Sequence, residues 1–347
     1  MIPTTTIGAF PKPGYVPISD WFTKADGDYT SAYLDELAAA GDEAEVLFER
    51  ATREVVVDQV RAGIDIPTDG EVRRENYIHY LCRHLDGFSF KALATREIRG
   101  TTTARLPTIV GEVIASAETP LVRDFRQAQA ATDRPVKITL PGPMTIIDST
   151  VDYHYRDEVT LGAALAEAVN VHVRALADAG CRHIQVDEPM MARRPEVALR
   201  HGIDQLAACF DGIPDTVTRI AHACCGYPNH LDQEGYEKAP RASYLDLARA
   251  LDRAPIDAIS IEDAHRHNDL AALLPRFSES TVILGVVAIA RSRIESVDEI
   301  VGRLKAARAY LPAVGLIEAT VCGLGYLGGD QGRAHRRPRA QGAHLDT

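Results

Sequence analysis

The chain has 347 residues, a formal net charge of −11, and 46% hydrophobic and 25% charged residues. This length can bury a full core, and the composition is that of a globular protein rather than a disordered or fibrous one. The acidic balance argues against general binding to nucleic acids or anionic membranes, and no apolar run is long enough to cross a bilayer.

The six cysteines do not form the pattern of a secreted disulfide framework, since two of them are adjacent at positions 224 and 225. The first residues also lack the basic and apolar regions of a signal peptide. We therefore expect a protein of the reducing cytoplasm, whose thiols are available for a metal ion.

The first part of the chain predicts two strands and an insertion. Residues 4–10 predict a first strand, residues 31–62 a helix with apolar side chains at helical spacing, and residues 64–71 a second strand with carboxylates at its end. Residues 72–133 are longer than one helical return requires and include a predicted hairpin at 107–112. We expect this segment to be an insertion after the second strand.

From residue 135 onward, strands and Ala-rich helices alternate regularly. Eight alternating units favour an α/β fold in which a closed (β/α)8 TIM-like barrel forms a single domain over residues 1–327. The six further strands are predicted at 136–140, 183–187, 219–222, 258–262, 282–286 and 314–317.

The C-terminal segment breaks this rhythm, because residues 328–342 carry almost no apolar side chain. Such a segment cannot bury one face as the last barrel helix should, so we expect residues 328–347 to be a flexible, atypical basic tail. Apolar surface left where that helix should lie could be covered by a second copy of the chain, which leaves a homo-oligomer open.

Four residues at strand ends are candidate zinc ligands. His222 and Cys224 lie two residues apart at the end of a predicted strand, so their side chains share one face. A His-x-Cys pair alone more often reflects a buried structural cysteine. However, Glu262 and Cys322 lie at two other strand ends, and imidazole, thiolate and carboxylate groups together suit tetrahedral zinc. The wide spacing favours a catalytic site over a zinc finger.

Acidic residues at two other strand ends suit an ammonium group on a substrate, because ionised carboxylates only accept hydrogen bonds. The alternative, structural ion pairs or helix-start acids, stays open for each. The first strand adds backbone donors at Gly8 and Ala9, where a glycine lets a ligand carboxylate approach. The acids are Asp69, Glu71, Asp187 and Glu188.

Seven motifs in order resemble the catalytic barrel of cobalamin-independent methionine synthases, and the resemblance covers nearly the whole chain. The N-terminal duplicate barrel of full-length members is absent, so the chain is similar to the short, single-barrel members. The motifs are Ile7-Gly-Ala-Phe-Pro11, Asp69-Gly-Glu71, Pro141-Gly-Pro-Met-Thr145, Ile184-Gln-Val-Asp-Glu-Pro189, His222-Ala-Cys224, Ile259-Ser-Ile-Glu262 and Cys322-Gly-Leu324.

The resemblance implies a zinc-dependent methyltransferase that converts homocysteine to methionine, with the substrate thiol activated as a zinc thiolate. Because catalytic zinc keeps an open position, we expect Glu262 to be the weak ligand that yields to the substrate sulfur. The resemblance assigns zinc to His222, Cys224, Glu262 and Cys322, and the amino-acid end of homocysteine to Ile7, Gly8, Ala9, Glu71 and Asp187.

Two departures concern the methyl donor. Methylfolate-using members have a histidine that protonates the departing folate nitrogen, where this chain has Ala290 and Arg291, and the aromatic platform expected after Gly-Pro-x-Thr is replaced by Ile147-Asp148-Ser149. Methylfolate is a poor leaving group unless it is protonated. The departures therefore favour methylcobalamin or a corrinoid protein as the donor.

Three other functions compete with this prediction. An alkyltransferase similar to epoxyalkane:coenzyme M transferases would need cations for its sulfonate thiol, which Arg73 and Arg74 keep open. A metal-free decarboxylase of the uroporphyrinogen type would leave the zinc ligands unexplained. A non-catalytic zinc-binding module is the alternative outside the enzymes.

Overall fold

The computed structural model describes residues 2–22, 29–98, 102–116, 119–228, 230–289, 291–311 and 315–327. Residues 328–347, where we predicted a basic tail, lie outside these ranges. Ten strands are present in the described ranges: β1 Thr4–Thr5, β2 Leu85–Ile98, β3 Thr102–Ala115, β4 Lys137–Pro141, β5 Val151–Asp152, β6 His183–Asp187, β7 Thr218–Ala223, β8 Ala258–Glu262, β9 Thr281–Val287 and β10 Leu316–Thr320.

The helices mostly follow the strands, and two short segments, Ala198–Gly202 and Leu274–Arg276, are π-helical and 3-10-helical respectively. None of the helices in the described ranges combines the length and apolarity that crossing a bilayer requires. The α-helices are α1 Tyr29–Ala40, α2 Glu43–Arg61, α3 Tyr77–Cys82, α4 Pro120–Gln129, α5 Pro143–Asp148, α6 Glu158–Asp178, α7 Pro189–Arg193, α8 Pro195–Val197, α9 Ile203–Ala208, α10 Ser243–Asp252, α11 Leu270–Leu273 and α12 Val297–Arg308.

Seven strands form one parallel sheet in the order β1-β10-β9-β8-β7-β6-β4. Its two edge strands are connected through residues 66–68, because Thr5 forms a parallel bridge with Ile66 and Thr68 forms another with Lys137. These residues take the place of an eighth strand between β1 and β4. The result is a curled parallel sheet with helices packed on it, consistent with the predicted TIM-like barrel.

The first two predicted strands pair over fewer residues than expected. Strand β1 is only two residues long, and residues 66–68 pair only through isolated bridges. Pro67 has no N–H to donate to a ladder. Gly70 and Glu71 then turn the chain, since their φ angles are +70° and +55°.

The helix predicted over residues 31–62 is interrupted at Gly41, which separates α1 from α2. Gly41 has a φ of +55°, and its N–H donates to the carbonyl of Leu37. A left-handed glycine is the common end of an α-helix, so Ala-Ala-Ala-Gly-Asp is a stop signal that the sequence contains.

Strands β2 and β3 lie outside the parallel sheet, in the segment after residues 66–68. They pair antiparallel, and β3 also pairs with β5, which gives a separate three-stranded sheet. Side chains from β3, Ala104 and Leu106, reach the cavity described below.

The core has two parts. A small apolar cluster is formed by strand residues of the curled sheet and the adjoining Ile7, and the larger cluster lies between the sheet and the helices. Side-chain caps begin four of the described helices: α3 at Asn76, α6 at Asp157, α11 at Asp269, and α12 with a capping box between Ser296 and Glu299. The smaller cluster comprises Ile7, Ile220, Ala258, Ile283 and Ala319.

Candidate active site

Three of the four predicted metal ligands lie together at the carboxyl ends of the strands. The ligand atoms of His222, Cys224 and Cys322 are all within 4.8 Å of one another. His222 and Cys224 are buried, whereas Cys322 is half-buried. Two of these residues come from the end of β7 and one follows β10, so the fold joins positions that are far apart in the chain.

One hydrogen bond fixes the orientation of the His222 ring. Its Nδ1 is 2.9 Å from the hydroxyl of Ser260, the residue beside it in the β7–β8 pairing. Its Nε2 is buried and has no hydrogen-bond partner among the described residues. With Nδ1 donating to the hydroxyl, Nε2 presents its lone pair, which is the arrangement of a metal-binding histidine.

Glu262 lies at the edge of this group rather than inside it. Cys224 Sγ is 3.9 Å from Glu262 Oε2, but Glu262 does not belong to the set that lies within 4.8 Å. Its Oε1 is buried without a hydrogen-bond partner among the described residues and is 3.5 Å from His265 Nδ1 and 4.0 Å from Lys238 Nζ. Of the four predicted ligands, Glu262 is therefore the one that lies outside the compact group.

The donor set fits a zinc ion. Cys322 hydrogen bonding and burial raise the pKa of the Cys224 thiol well above its usual range. A cation is then needed to hold neighbouring thiolates at neutral pH. The two sulfurs, the unpartnered imidazole nitrogen and the unpartnered carboxylate oxygen match the ligand types that zinc prefers.

A cavity of about 160 Å³ joins this group to the predicted amino-acid site. Every predicted site residue except Glu262 lines it: Ile7, Gly8, Ala9, Glu71, Asp187, His222, Cys224 and Cys322. The strand ends thus bring the two halves of the predicted site to one place.

Only two of the four strand-end acids line the cavity. Asp69 forms a buried ion pair with Arg74, 3.0 Å apart. Glu188 accepts hydrogen bonds from the backbone N–H groups of Met144 and Thr145 and so caps the start of α5. Asp69 therefore forms a structural ion pair and Glu188 is a helix-start acid, which are the two alternatives left open by the sequence.

Burial changes the protonation of both remaining acids. It raises the pKa of the Glu71 carboxyl to about 7, with Arg74 opposing the rise and Asp187 adding to it. Burial also raises the pKa of Asp187, and His222 opposes this rise. Two buried carboxyls that resist ionisation favour a cationic partner between them.

Gly8 and Ala9 offer backbone donors to the same cavity. Their N–H groups have no acceptor in the part of the chain that the structure describes. A Cβ at Gly8 would lie 2.5 Å from Glu71 Oε1, so only glycine permits this close approach. The cavity therefore presents backbone N–H donors beside a carboxylate.

The sequence matches, over residues 2–338, the family described as "Cobalamin-independent synthase, Catalytic domain". The chain belongs to this family. Methionine synthase of Saccharolobus solfataricus is 27% identical over 93% of this chain and 88% of its own length, and that of Sulfolobus acidocaldarius is 26% identical over 89% and 82%. The solved structure of a B12-independent methionine synthase from a Shewanella species, in complex with selenomethionine, is 28% identical with a TM-score of 0.87, covering 99% of this chain and 97% of that chain.

The cobalamin-independent synthase family accounts for the order of the motifs and for the fold. The chain is a methyltransferase of the methionine-synthase type. The family match also extends beyond residue 327, into the segment where we predicted the tail.

Gln185 is a member of this site that we did not single out from the sequence. Its amide nitrogen donates to the carbonyl of Ile7 at 2.8 Å and to Asp187 Oδ1 at 2.7 Å, and its oxygen accepts from Lys137 Nζ at 2.6 Å. Its position two residues before Asp187 on a strand, and therefore on the same face, was the available signal.

The two arginines that kept a sulfonate thiol open are not in the cavity. Arg73 pairs with Glu45 at 2.6 Å, and Arg74 pairs with Asp69. Neither lines the cavity. The alternative that Arg73 and Arg74 bind a sulfonate is therefore wrong, because both form structural ion pairs away from the cavity.

Aromatic side chains from unexpected segments line the cavity. Asp148 and Ser149 occupy the place where the family platform was expected, and both line the cavity. Trp21 stacks on Tyr227, with ring centroids 5.7 Å apart and planes 18° apart. Ala290 lies outside the described residues, and its neighbour Arg291 is exposed.

Proposed function

We propose that this chain transfers a methyl group to the sulfur of homocysteine and so forms methionine, using zinc held by His222, Cys224, Glu262 and Cys322. The observation that carries the proposal is the shared cavity, in which thiol and imidazole ligands meet two carboxylates and two unpartnered backbone N–H groups. The Shewanella relative binds selenomethionine in its solved structure, which supports a methionine-shaped ligand in this fold.

The cavity residues provide a partner for each polar group of homocysteine and place its sulfur at the metal ligands. Glu71 and Asp187 accept hydrogen bonds from its ammonium group, and the N–H groups of Gly8 and Ala9 donate to its carboxylate. The side chain then extends towards Cys224 and Cys322. In this orientation the carboxylates determine that an amino acid binds, and the strand ends hold its sulfur beside the metal ligands.

When bound, zinc would lower the pKa of the substrate thiol, so that the thiolate nucleophile exists at neutral pH. Glu262 is the ligand that gives way to the substrate sulfur, because it is the outlying member of the donor set. X-ray absorption before and after addition of homocysteine tests this role. Four unchanged protein ligands with no added sulfur would rule it out.

The methyl donor is the less constrained part of the proposal. A corrinoid donor, which the sequence departures favoured, gains no support from a family described as cobalamin-independent. For methylfolate, His79 lines the cavity but cannot serve as a general acid at neutral pH, because burial lowers its pKa to about 3 and so keeps the imidazole unprotonated. Methyltetrahydrofolate and methylcobalamin are therefore both needed in the assay, as separate donors.

We propose that residues 1–327 act as one catalytic domain in a reducing compartment such as the cytoplasm. The cysteines support this compartment, because all six are free thiols. Residues that follow strands near both ends of the sheet order line one cavity in the described chain. This shared cavity supports a single domain.

Metal analysis tests the proposal without turnover. We expect about one zinc per chain in the wild type, its loss in Cys224→Ser, and its retention in Cys225→Ser, whose sulfur is an adjacent buried thiol outside the group. Zinc should also raise the melting temperature by about 5 °C, except in Cys224→Ser. Equal zinc content in the two variants would contradict the proposed site.

A further inference from the structure

Arg193 is the one arginine among the described residues that line the cavity, and no lysine lines it. Its Nε is buried and has no hydrogen-bond partner in the described ranges. Its guanidinium also forms no ion pair with a described carboxylate. A cationic group of this kind lies at the end of α7, immediately beyond the strand that carries Asp187.

Other arginines nearby are paired. Arg194, the next residue, binds Glu158 through two hydrogen bonds of 2.8 and 2.9 Å and does not line the cavity. Arg83 forms a buried ion pair with Glu75 at 2.6 Å. Arg193 is half-buried, but its Nε lies buried without an acceptor among the described residues. Because a buried N–H group without an acceptor is costly, this side chain at the cavity indicates an anionic ligand rather than a structural role.

Arg193 lies beside the metal ligands. Its Nη2 is 3.6 Å from the point where a Cβ on Gly226 would lie, which places the guanidinium close to that residue. The carbonyl of Gly226 accepts a hydrogen bond from Cys224 Sγ at 3.3 Å. An anion on Arg193 would therefore border the place where the substrate sulfur reacts.

The carboxylates of the cavity already have partners. Glu71 is 3.6 Å from Arg74, Asp148 is 3.9 Å from Arg96, and Asp187 accepts from Gln185. The carboxylate of homocysteine is served by backbone N–H groups in the proposed function. With the carboxylate of homocysteine assigned in this way, the anion left for Arg193 is one carried by the second substrate.

We infer that Arg193 binds a carboxylate of the methyl donor, an inference that rests on the proposed function. The stacked rings of Trp21 and Tyr227 line the same cavity, and Tyr227 follows Gly226 directly. Aromatic faces bind planar groups, and guanidinium binds carboxylate through paired hydrogen bonds. A methyl donor that combines a planar ring system with a carboxylate satisfies both.

Isothermal titration of the zinc-loaded full chain with 5-methyltetrahydrofolate tests this inference. We expect Arg193→Gln to weaken binding about ten- to hundredfold, because a charge-assisted hydrogen bond is lost, and Arg193→Lys to retain part of the affinity. Arg194→Gln is the matched control and should bind as the wild type does. Zinc content and methionine affinity should be unchanged in all three variants, which also verifies their folding.

Three results would overturn the role of Arg193: no binding of 5-methyltetrahydrofolate to the wild type, equal binding by wild type and Arg193→Gln, or a loss that falls on methionine instead. The last result would assign Arg193 to the acceptor. Methionine formation with methylcobalamin but not with the folate would also reject this inference while the proposed function stands. Methionine formation with neither donor would reject the proposed function itself.

Discussion

Gln185 connects the two segments that we propose bind the amino acid. It is fully buried, and its single amide group contacts Ile7, Asp187 and Lys137. Because both donors and the acceptor of this amide are used, Asp187 is held in one orientation beside the turn at Ile7. Gln185 thus positions the site although it does not line the cavity.

Gln185→Leu should destabilise the protein by about 2–4 kcal/mol, because the Ile7 carbonyl, Asp187 and Lys137 each lose a buried hydrogen-bond partner. Methionine affinity should fall as well. Urea unfolding and calorimetry measure the two effects. Gln205→Leu is the matched control, since Gln205 is buried but makes one long hydrogen bond of 3.4 Å. Equal losses in both variants would contradict the role of Gln185.

The protonation of Glu71 should control affinity for the amino acid. An ammonium group requires the ionised carboxylate, and the Glu71 pKa is raised to about 7. Methionine affinity should therefore increase about tenfold between about pH 6 and about pH 8, as measured by calorimetry. Methionine has no thiol, so the titration of the substrate sulfur does not interfere. Glu71→Gln should bind weakly with little pH dependence, and a steep dependence in that variant would contradict this assignment.

The same group has the opposite effect on stability. The folded Glu71 carboxyl keeps its proton between its ordinary pKa of 4.5 and about 7, whereas the unfolded chain releases it. The unfolded state then binds fewer protons, so the contribution of Glu71 to stability decreases as the pH rises through this window. Ligand affinity and stability should thus change in opposite directions.

At the scale of the elements, the apolar strands were predictable and their connections to the site were less so. The bounds of β6 and β8 agree with the prediction, because both are short, largely buried strands with Ile and Val or Ile at alternate positions, and both end at a carboxylate. Residues 4–10 and 64–71 were predicted as full strands, but each segment pairs only over its first part. The remainder of each segment leaves the sheet and lines the cavity. Local propensity describes such segments as extended and does not reveal that their pairing stops early.

Strand β9 holds the neighbouring ligand-bearing strands close together. Gly285 is paired with Glu262 on β8 and Ala319 on β10. A Cβ on Gly285 would lie 2.7 Å from the Cα of Val321, the residue before Cys322. This contact is with backbone, so no side-chain rotation can relieve it.

Gly285→Ala should therefore destabilise the protein by about 1–3 kcal/mol and reduce its zinc content. Gly302→Ala is the control: this glycine is exposed on α12 with open space around it, so the same change should stabilise by about 0.5–1 kcal/mol. Thermal unfolding and metal analysis measure both. Full zinc occupancy and unchanged stability in Gly285→Ala would show that the strands are not so tightly constrained.

For the whole molecule, the sequence allowed the candidate ligands to be chosen but not their distances. His222, Cys224 and Cys322 could be predicted because residues at the carboxyl ends of parallel strands meet at one edge. The edge position of Glu262 and the unpaired state of Arg193 among the described residues could not, because both depend on contacts between distant segments. Likewise, nothing local distinguishes Asp69, which pairs with Arg74, from Glu71, which lines the cavity.

The central claim is that the zinc ligands and the amino-acid site act together on homocysteine. Mass spectrometry of methionine formed by zinc-loaded protein, with methyltetrahydrofolate and methylcobalamin as separate donors, tests it most directly. We predict methionine with at least one donor in the wild type and in Cys225→Ser, and its loss in Cys322→Ser. Absence of methionine with both donors, or undiminished formation by Cys322→Ser, would contradict the claim.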